Sequence, residues 1–478
     1  MTDTTGTTST TGTSAQTSMR VSDFAADTTR QTAGQALRDY RATLRSGQLG
    51  ALPALLGLVV LVAVFALVSP VFLTLPNMAN LLSQGAGRMI IAMGLVFVLL
   101  TAEIDISAGT SSGVTAAVLA LHYVSNGNLL GAMGGTVFTL FLAVLVVAIG
   151  LALWMRIWFA GMVAAVPIVI LVAGVPANPW VEMLLAVTAG TAIGIVTGFM
   201  VAKVKIPSFV ITLAFFLMWQ GVILRLIGQG GVLGINTSPT LNAVANGNLS
   251  TTGSWVLFAA AGGLYAAVAL GTHLSRARRG LYSRSLSIVL LKVGAVLVLG
   301  AGVTAALTVN RSQNAAVQIS GVPYVVPIVL VLLAVGTYVL DRTRFGRYVY
   351  AIGGNAEAAR RAGIDITKVK AGVFVVSSAF AAIGAIVYSS KVGSVDPTAG
   401  GLNTLLFAVG AAVIGGTSLF GGRGRLVDAV VGGLVLAVVE NGLGLLNQPA
   451  ATVAVVTGLV LALAATVDAL SRRRSYTR

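Results

Sequence analysis

The chain has 478 residues, of which 56% are hydrophobic and only 9% charged, against roughly 25% charged in a soluble domain, so it is an integral membrane protein. It has no cysteine and two distant histidines, His122 and His273, which excludes disulfides and thiolate metal sites and argues against metal chemistry. The net charge of +16 is carried by short clusters between apolar runs, a pattern that orients a membrane protein and does not point to nucleic acid.

Residues 1–46 are rich in Thr, Ser, Gly and Ala and lack an apolar core, so a disordered cytoplasmic tail is expected there. No signal-peptide h-region is legible in it, and the first apolar run is expected to direct insertion itself. The membrane domain is expected over 47–471, with 472–478 as a second cytoplasmic tail. Between 51 and 470 about fourteen apolar runs follow one another, each approaching the ~20 residues that cross hydrocarbon. The pairs 85–124 and 402–446 are joined by glycine-rich or polar elements and are read as broken or re-entrant. The expected fold is therefore all-α and polytopic, with about 10–14 transmembrane helices, and its two polar-interrupted halves are compatible with a repeat.

With the N-terminus inside, the cytoplasmic side receives Arg156, Lys203, Lys205, the cluster 276–284, the segment 342–370, Arg423, Arg425 and the arginines at 472–474. The other side receives only Arg88, Arg225, Arg311 and Lys391. That asymmetry supports the register and places both termini in the cytoplasm. Lys292, early in its run, is read as snorkelling to the interface.

Three stretches carry the polar residues a pathway would need. In 94–120, Glu103 and Asp105 interrupt an apolar run and are followed by Ser107 and Gly109. Intramembrane carboxylates face a cavity or a partner, and irregular backbone at that depth lines water or protein. Two readings fit, a broken helix beside a pathway or a Ser/Asp cap at the membrane surface. In 205–220, Phe216 and Trp219 are either sugar-stacking groups or interface anchors, and Gln220 beside them is a candidate pathway residue. Asp396 is read as a turn residue. In 407–441, Gly415, Gly416 and Thr417 suit an unwound turn or close helix packing. Glu440 and Asn441, late in an apolar run, belong to the pathway or the outer interface.

The longest charged stretch between apolar runs is 345–370 (FGRYVYAIGGNAEAARRAGIDITKVK). After the break at Gly353 and Gly354, Asn355 can cap a short helix, with Glu357 in its first turn, Arg360 and Arg361 in its last, and Gly363 as its stop. A helix of two turns is marginal alone and needs a surface to dock against. No GxxxxGK[ST] motif occurs, so the chain has no Walker loop of its own. No nucleophile–His–acid grouping stands out, and an enzymatic role is not expected.

Four ordered motifs, AEIDISAG (102–109), IPSFVITL (206–213), FGRYVYAIGGNAEAARRAG (345–363) and IGGTSLFGGRG (414–424), resemble the permease subunits of bacterial ABC importers for monosaccharides such as ribose, xylose and galactose. The resemblance spans about 51–470, and the additional apolar runs near 131–175 and 281–308 look most like the long xylose-type permeases. Where that pattern reads IDLS followed by VG, this chain has Ile106 and Ala108. The resemblance implies a homodimer in the bacterial cell membrane, fed by an extracytoplasmic sugar-binding protein. Separate ATP-binding subunits would hold ATP and Mg, and this chain would bind no cofactor. It also implies that Gly354, Asn355, Glu357, Ala358, Arg360, Arg361 and Gly363 form the coupling helix that sits in a groove of the ATPase. Residues 104–107 and 415–424 match segments of the translocation core. The alternatives are an ABC permease for a nucleoside or branched-chain amino acid, and an ion-coupled secondary transporter using Glu103 or Asp105.

Overall fold

A computed structural model describes residues 51–280, 285–312, 314 and 318–476; the tail expected at 1–46 lies outside it. In chain order the helices are α1 (Leu52–Val68), α2 (Leu75–Leu100), α3 (Ala108–Val124), α4 (Leu129–Met133), α5 (Gly135–Trp154), α6 (Trp158–Val172), α7 (Pro179–Ala202), α8 (Ser208–Ile227), α9 (Pro239–Asn246), α10 (Thr251–Arg278) and α11 (Leu286–Thr308). They continue as α12 (Val325–Arg342), α13 (Arg344–Gly354), α14 (Ala356–Arg361), α15 (Ile366–Val392), α16 (Leu402–Ile414), α17 (Leu426–Leu445) and α18 (Ala450–Tyr476).

Among the described residues nine helices are long and apolar enough to cross a membrane, and α1, α6, α16 and the start of α18 are shorter apolar helices. The protein is a polytopic all-α membrane protein, as its composition requires. Polar side chains start several of the helices: Asn178 caps α7, Ser250 caps α10, and Asp365 caps α15, each accepting from a free N–H of the first turn.

Helix α15 is the hub and packs on α2, α3 and α7, while α2 packs in turn on α16 and α17. In lipid such packing comes from close approach of small residues and not from the hydrophobic effect. A Cβ on Gly87 would stand 2.8 Å from the Gly384 carbonyl oxygen, and one on Gly94 would stand 2.9 Å from that of Ser377. Helices α10 and α11 pack on each other and bury only 6% of their apolar windows, so they form an appendage to the bundle.

The order of contacts fixes direction. Leu100, at the end of α2, lies beside Gly353, just ahead of α14; the face carrying α14 is called the near face. Helix α15 leaves that face and ends at the far one, so α2 and α15 are antiparallel. Each is followed by an irregular stretch and then a short helix, 17 residues in α3 and 13 in α16. The far-face stretch is pinned by a two-stranded antiparallel pair, β1 (Leu233–Gly234) with β2 (Ser394–Val395). The pair 85–124 is therefore a full crossing, a break and a short helix. The pair 402–446 is a short helix followed by a full crossing.

Candidate functional site

Three of the motif segments meet on the near face. Gly422 N–H donates to the Leu100 carbonyl at 3.0 Å, and Gly353 fills the remaining space so closely that a Cβ there would stand 2.5 Å from the Gly422 nitrogen. Tyr350 donates its hydroxyl to the Gly424 carbonyl at 2.9 Å. Burial, reinforced by the carboxylates of Asp341 and Asp428, pushes the Tyr350 phenol up to about 12, so it stays a donor at neutral pH. Tyr350→Phe should cost about 1 kcal/mol, read as a lowered melting temperature of the purified protein.

From that junction α14 projects into solvent. Asn355 Oδ1 accepts from Ala358 N–H at 2.9 Å. Glu357 pairs with Arg360 at 3.4 Å and Arg361 at 3.3 Å. Gly363, at φ +82, closes the end by donating to the Arg360 carbonyl at 2.9 Å, as a left-handed C′ glycine does. Only Ala359 of this helix is buried. Glu357, Ala358, Arg360 and Arg361 are exposed, as are Gly354 and Asn355. Exposed pairs of this kind add little stability, so this surface is free for another role.

The break after α2 lies inside the bundle. Glu103 pairs with Lys370 of α15. Asp105 is buried and accepts from the Ser107 hydroxyl at 2.7 Å and from the Ser377 hydroxyl at 3.2 Å. Ser377 is about 16 Å along α15 from its near-face end at 1.5 Å per residue, so Asp105 lies well inside the bundle. The neighbouring backbone is held by α8: Ile104 N–H donates to Ser208 Oγ at 3.2 Å, and Thr212 donates to the Ile104 carbonyl at 3.2 Å. Gly109 abuts Gly400 of the far-face stretch, which Gln220 Nε2 reaches by donating to the Pro397 carbonyl at 2.8 Å. Trp219 is buried and tilted on Phe215 with centroids 5.9 Å apart, so the interface-anchor reading does not hold for it; Phe216 is half-buried next to them.

The other residues fall elsewhere. Gly415 packs on the Asp428 backbone, Gly416 turns the chain at φ +112, and Thr417 is buried beside Gly424. Glu440 pairs with Arg88 at 2.5 and 2.7 Å, and the guanidinium lies 5.3 Å from the Tyr388 ring centre and 5.0 Å from that of Phe407. Asn441 exchanges hydrogen bonds of 2.9 and 3.0 Å with Asn77 and donates to Gln84 at 3.3 Å. These make a polar seam between α2 and α17, apart from the Asp105 cluster. Sequence reasoning missed Arg88, Tyr350, Lys370 and Ser377 as partners; of these only Arg88, a lone cation in an apolar run, carried a signal of its own.

A bundle of crossing helices with buried polar breaks, joined at one face to an exposed capped helix, defines a multi-pass membrane protein. The model of the family described as branched-chain amino acid transport system, permease component, matches residues 77–465. The chain is 31% identical over 404 residues to the xylose transport system permease protein of Escherichia coli, covering 84% of this chain and 87% of that one. It is 30% identical over 436 residues to the xylose transport system permease protein of Haemophilus influenzae, covering 90% and 99%. It is 28% identical over 415 residues to the ribose import permease protein of Escherichia coli, covering 87% and 92%. No solved structure matches it. The chain belongs to this permease family, in its xylose- and ribose-type branch of ABC sugar permeases.

Proposed function

We propose that this chain is the membrane subunit of an ATP-driven importer that moves a monosaccharide, with a xylose-like pentose favoured, into the cytoplasm of a bacterium. The near face is cytoplasmic, and α14 docks in a groove of a separate ATP-binding subunit that holds the ATP and Mg. The far face receives sugar from an extracytoplasmic binding protein, and two copies of the chain form the pathway. The similarity to xylose and ribose permeases supports the cargo class. The observation that carries the mechanism is the near-face junction, because Gly353 sits directly against both Leu100 and Gly422. Force on α14 thereby has a rigid route to the break that holds Glu103 and Asp105.

Glu357→Ala and Arg361→Ala are expected to lower uptake at least fivefold in proteoliposomes containing the ATPase and the binding protein. Membrane insertion and melting temperature should stay at the parent's values, since both side chains are exposed. Parental uptake in either variant would remove α14 as the coupling element. Uptake driven by an imposed ion gradient without ATP would replace the importer by an ion-coupled carrier.

A further inference from the structure

The far-face stretch is a copy of the near-face one. Residues 104–109 read Ile-Asp-Ile-Ser-Ala-Gly and residues 395–400 read Val-Asp-Pro-Thr-Ala-Gly, an apolar residue followed by D-x-[S/T]-A-G in both. Their surroundings repeat as well. The first follows α2, of 26 residues, and the second follows α15, of 27; each leads into a short helix. Helix α7 packs on α15 and α3 just as α17 packs on α2 and α16. The hydrogen bonds also correspond: the Ser107 hydroxyl donates to Asp105 Oδ1 at 2.7 Å, and the Thr398 hydroxyl donates to Asp396 Oδ1 at 2.6 Å.

The copies enter from opposite faces and meet. A Cβ on Gly109 would stand 2.7 Å from the Gly400 carbonyl oxygen, and Gly400 is packed on Gly109 in the same way. The final glycines of the two motifs therefore touch, as residues on a two-fold axis in the membrane plane must. The long helices flank that axis with the paired approaches Gly87–Gly384 and Gly94–Ser377. The copies differ in exposure. Asp105 is 1% exposed and sealed by Ser377, whereas Asp396 is half-buried and Thr398 is exposed.

We propose that residues 395–400, the far-face twin of residues 104–109, are a cargo-contacting segment. Its Asp396 carboxylate accepts hydrogen bonds from the hydroxyls of a polyhydroxylated neutral solute. The proposal rests on the sugar-permease reading and deepens it. The turn role of Asp396 remains, but a carboxylate has about four lone-pair sites, and Thr398 takes one oxygen. The half-buried side chain leaves the other oxygen for a further donor. Cargo entering from the far face meets this twin first and the Asp105 twin beyond the contact of Gly109 with Gly400.

Two measurements test this. Asp396→Asn keeps an oxygen for Thr398 and so keeps the turn, and a turn residue alone would leave transport untouched. The expected result is a KM for xylose uptake at least tenfold higher, with the melting temperature unchanged; a parental KM overturns the proposal. Because the chain has no cysteine, Thr398→Cys gives a single thiol on a clean background. A membrane-impermeant thiol reagent should label it from the far face, and saturating xylose should slow labelling at least threefold; equal rates with and without sugar overturn the proposal. Wild-type complex that takes up no sugar with ATP would instead overturn the importer reading, so the two failures are distinguishable.

Discussion

Gly353→Ala is expected to lower ATP-driven uptake at least tenfold and to cost about 1–3 kcal/mol of stability, the usual range for overpacking. Gly354→Ala, the next residue of the same helix, should leave the melting temperature at the parent's value. The contrast follows from what each new methyl would meet. At Gly353 it would press on the backbone of Leu100 and Gly422, atoms that cannot rotate away, whereas nothing lies within 4 Å at Gly354. The 3.0 Å bond from Gly422 to Leu100 would have to lengthen or α13 would have to lift off. Either response loosens the route from α14 to the break after α2. Thermal unfolding of the purified variants and uptake in proteoliposomes measure the two effects. Parental uptake in Gly353→Ala would show that the junction transmits nothing.

The second large effect is expected at Arg88 and Glu440. Replacing either residue alone by Met should destabilise the protein by about 3–5 kcal/mol, because the survivor is left as an uncompensated charge among apolar helices. Replacing both should recover most of that loss, since two matched methionines need no counter-charge. Arg88 keeps some attraction to the Tyr388 and Phe407 rings after Glu440 is gone, worth up to about 2 kcal/mol when desolvated, so Glu440→Met should be the milder single change. Unfolding in a denaturant series for the two single variants and the double variant gives the coupling energy. Additive losses would show that the two residues act independently and that the seam is not an ion-pair clamp.

The membrane class, the polytopic all-α fold and the short near-face helix were legible because each rests on local chemistry. Hydrophobic length identifies a span, and Asn355, Glu357, Arg361 and Gly363 state a helix start and stop within nine residues. The partners of the intramembrane charges were not legible. Glu103 with Lys370 and Arg88 with Glu440 are pairs more than 260 positions apart, and no periodicity within one helix reports which helix lies opposite. The surroundings of Trp219 were left open for the same reason, since its place in an apolar run does not say whether that side of α8 meets lipid or α3. The duplicated D-x-[S/T]-A-G segment was present as letters, but five short residues become a repeat only when the helices around them are seen to pack alike.

The internal closure of α14 bears on how it can be recognised. Fixing the backbone of one residue costs about 1–2 kcal/mol in conformational entropy, so a six-residue segment that ordered only on contact would forfeit on the order of 6–12 kcal/mol of its binding free energy. Here the Asn355 cap, the Gly363 stop and the buried Ala359 have already met that cost within the chain. A surface complementary to α14 therefore meets a preformed knob, and its association can be both fast and readily reversed, as a cycle of repeated engagement requires.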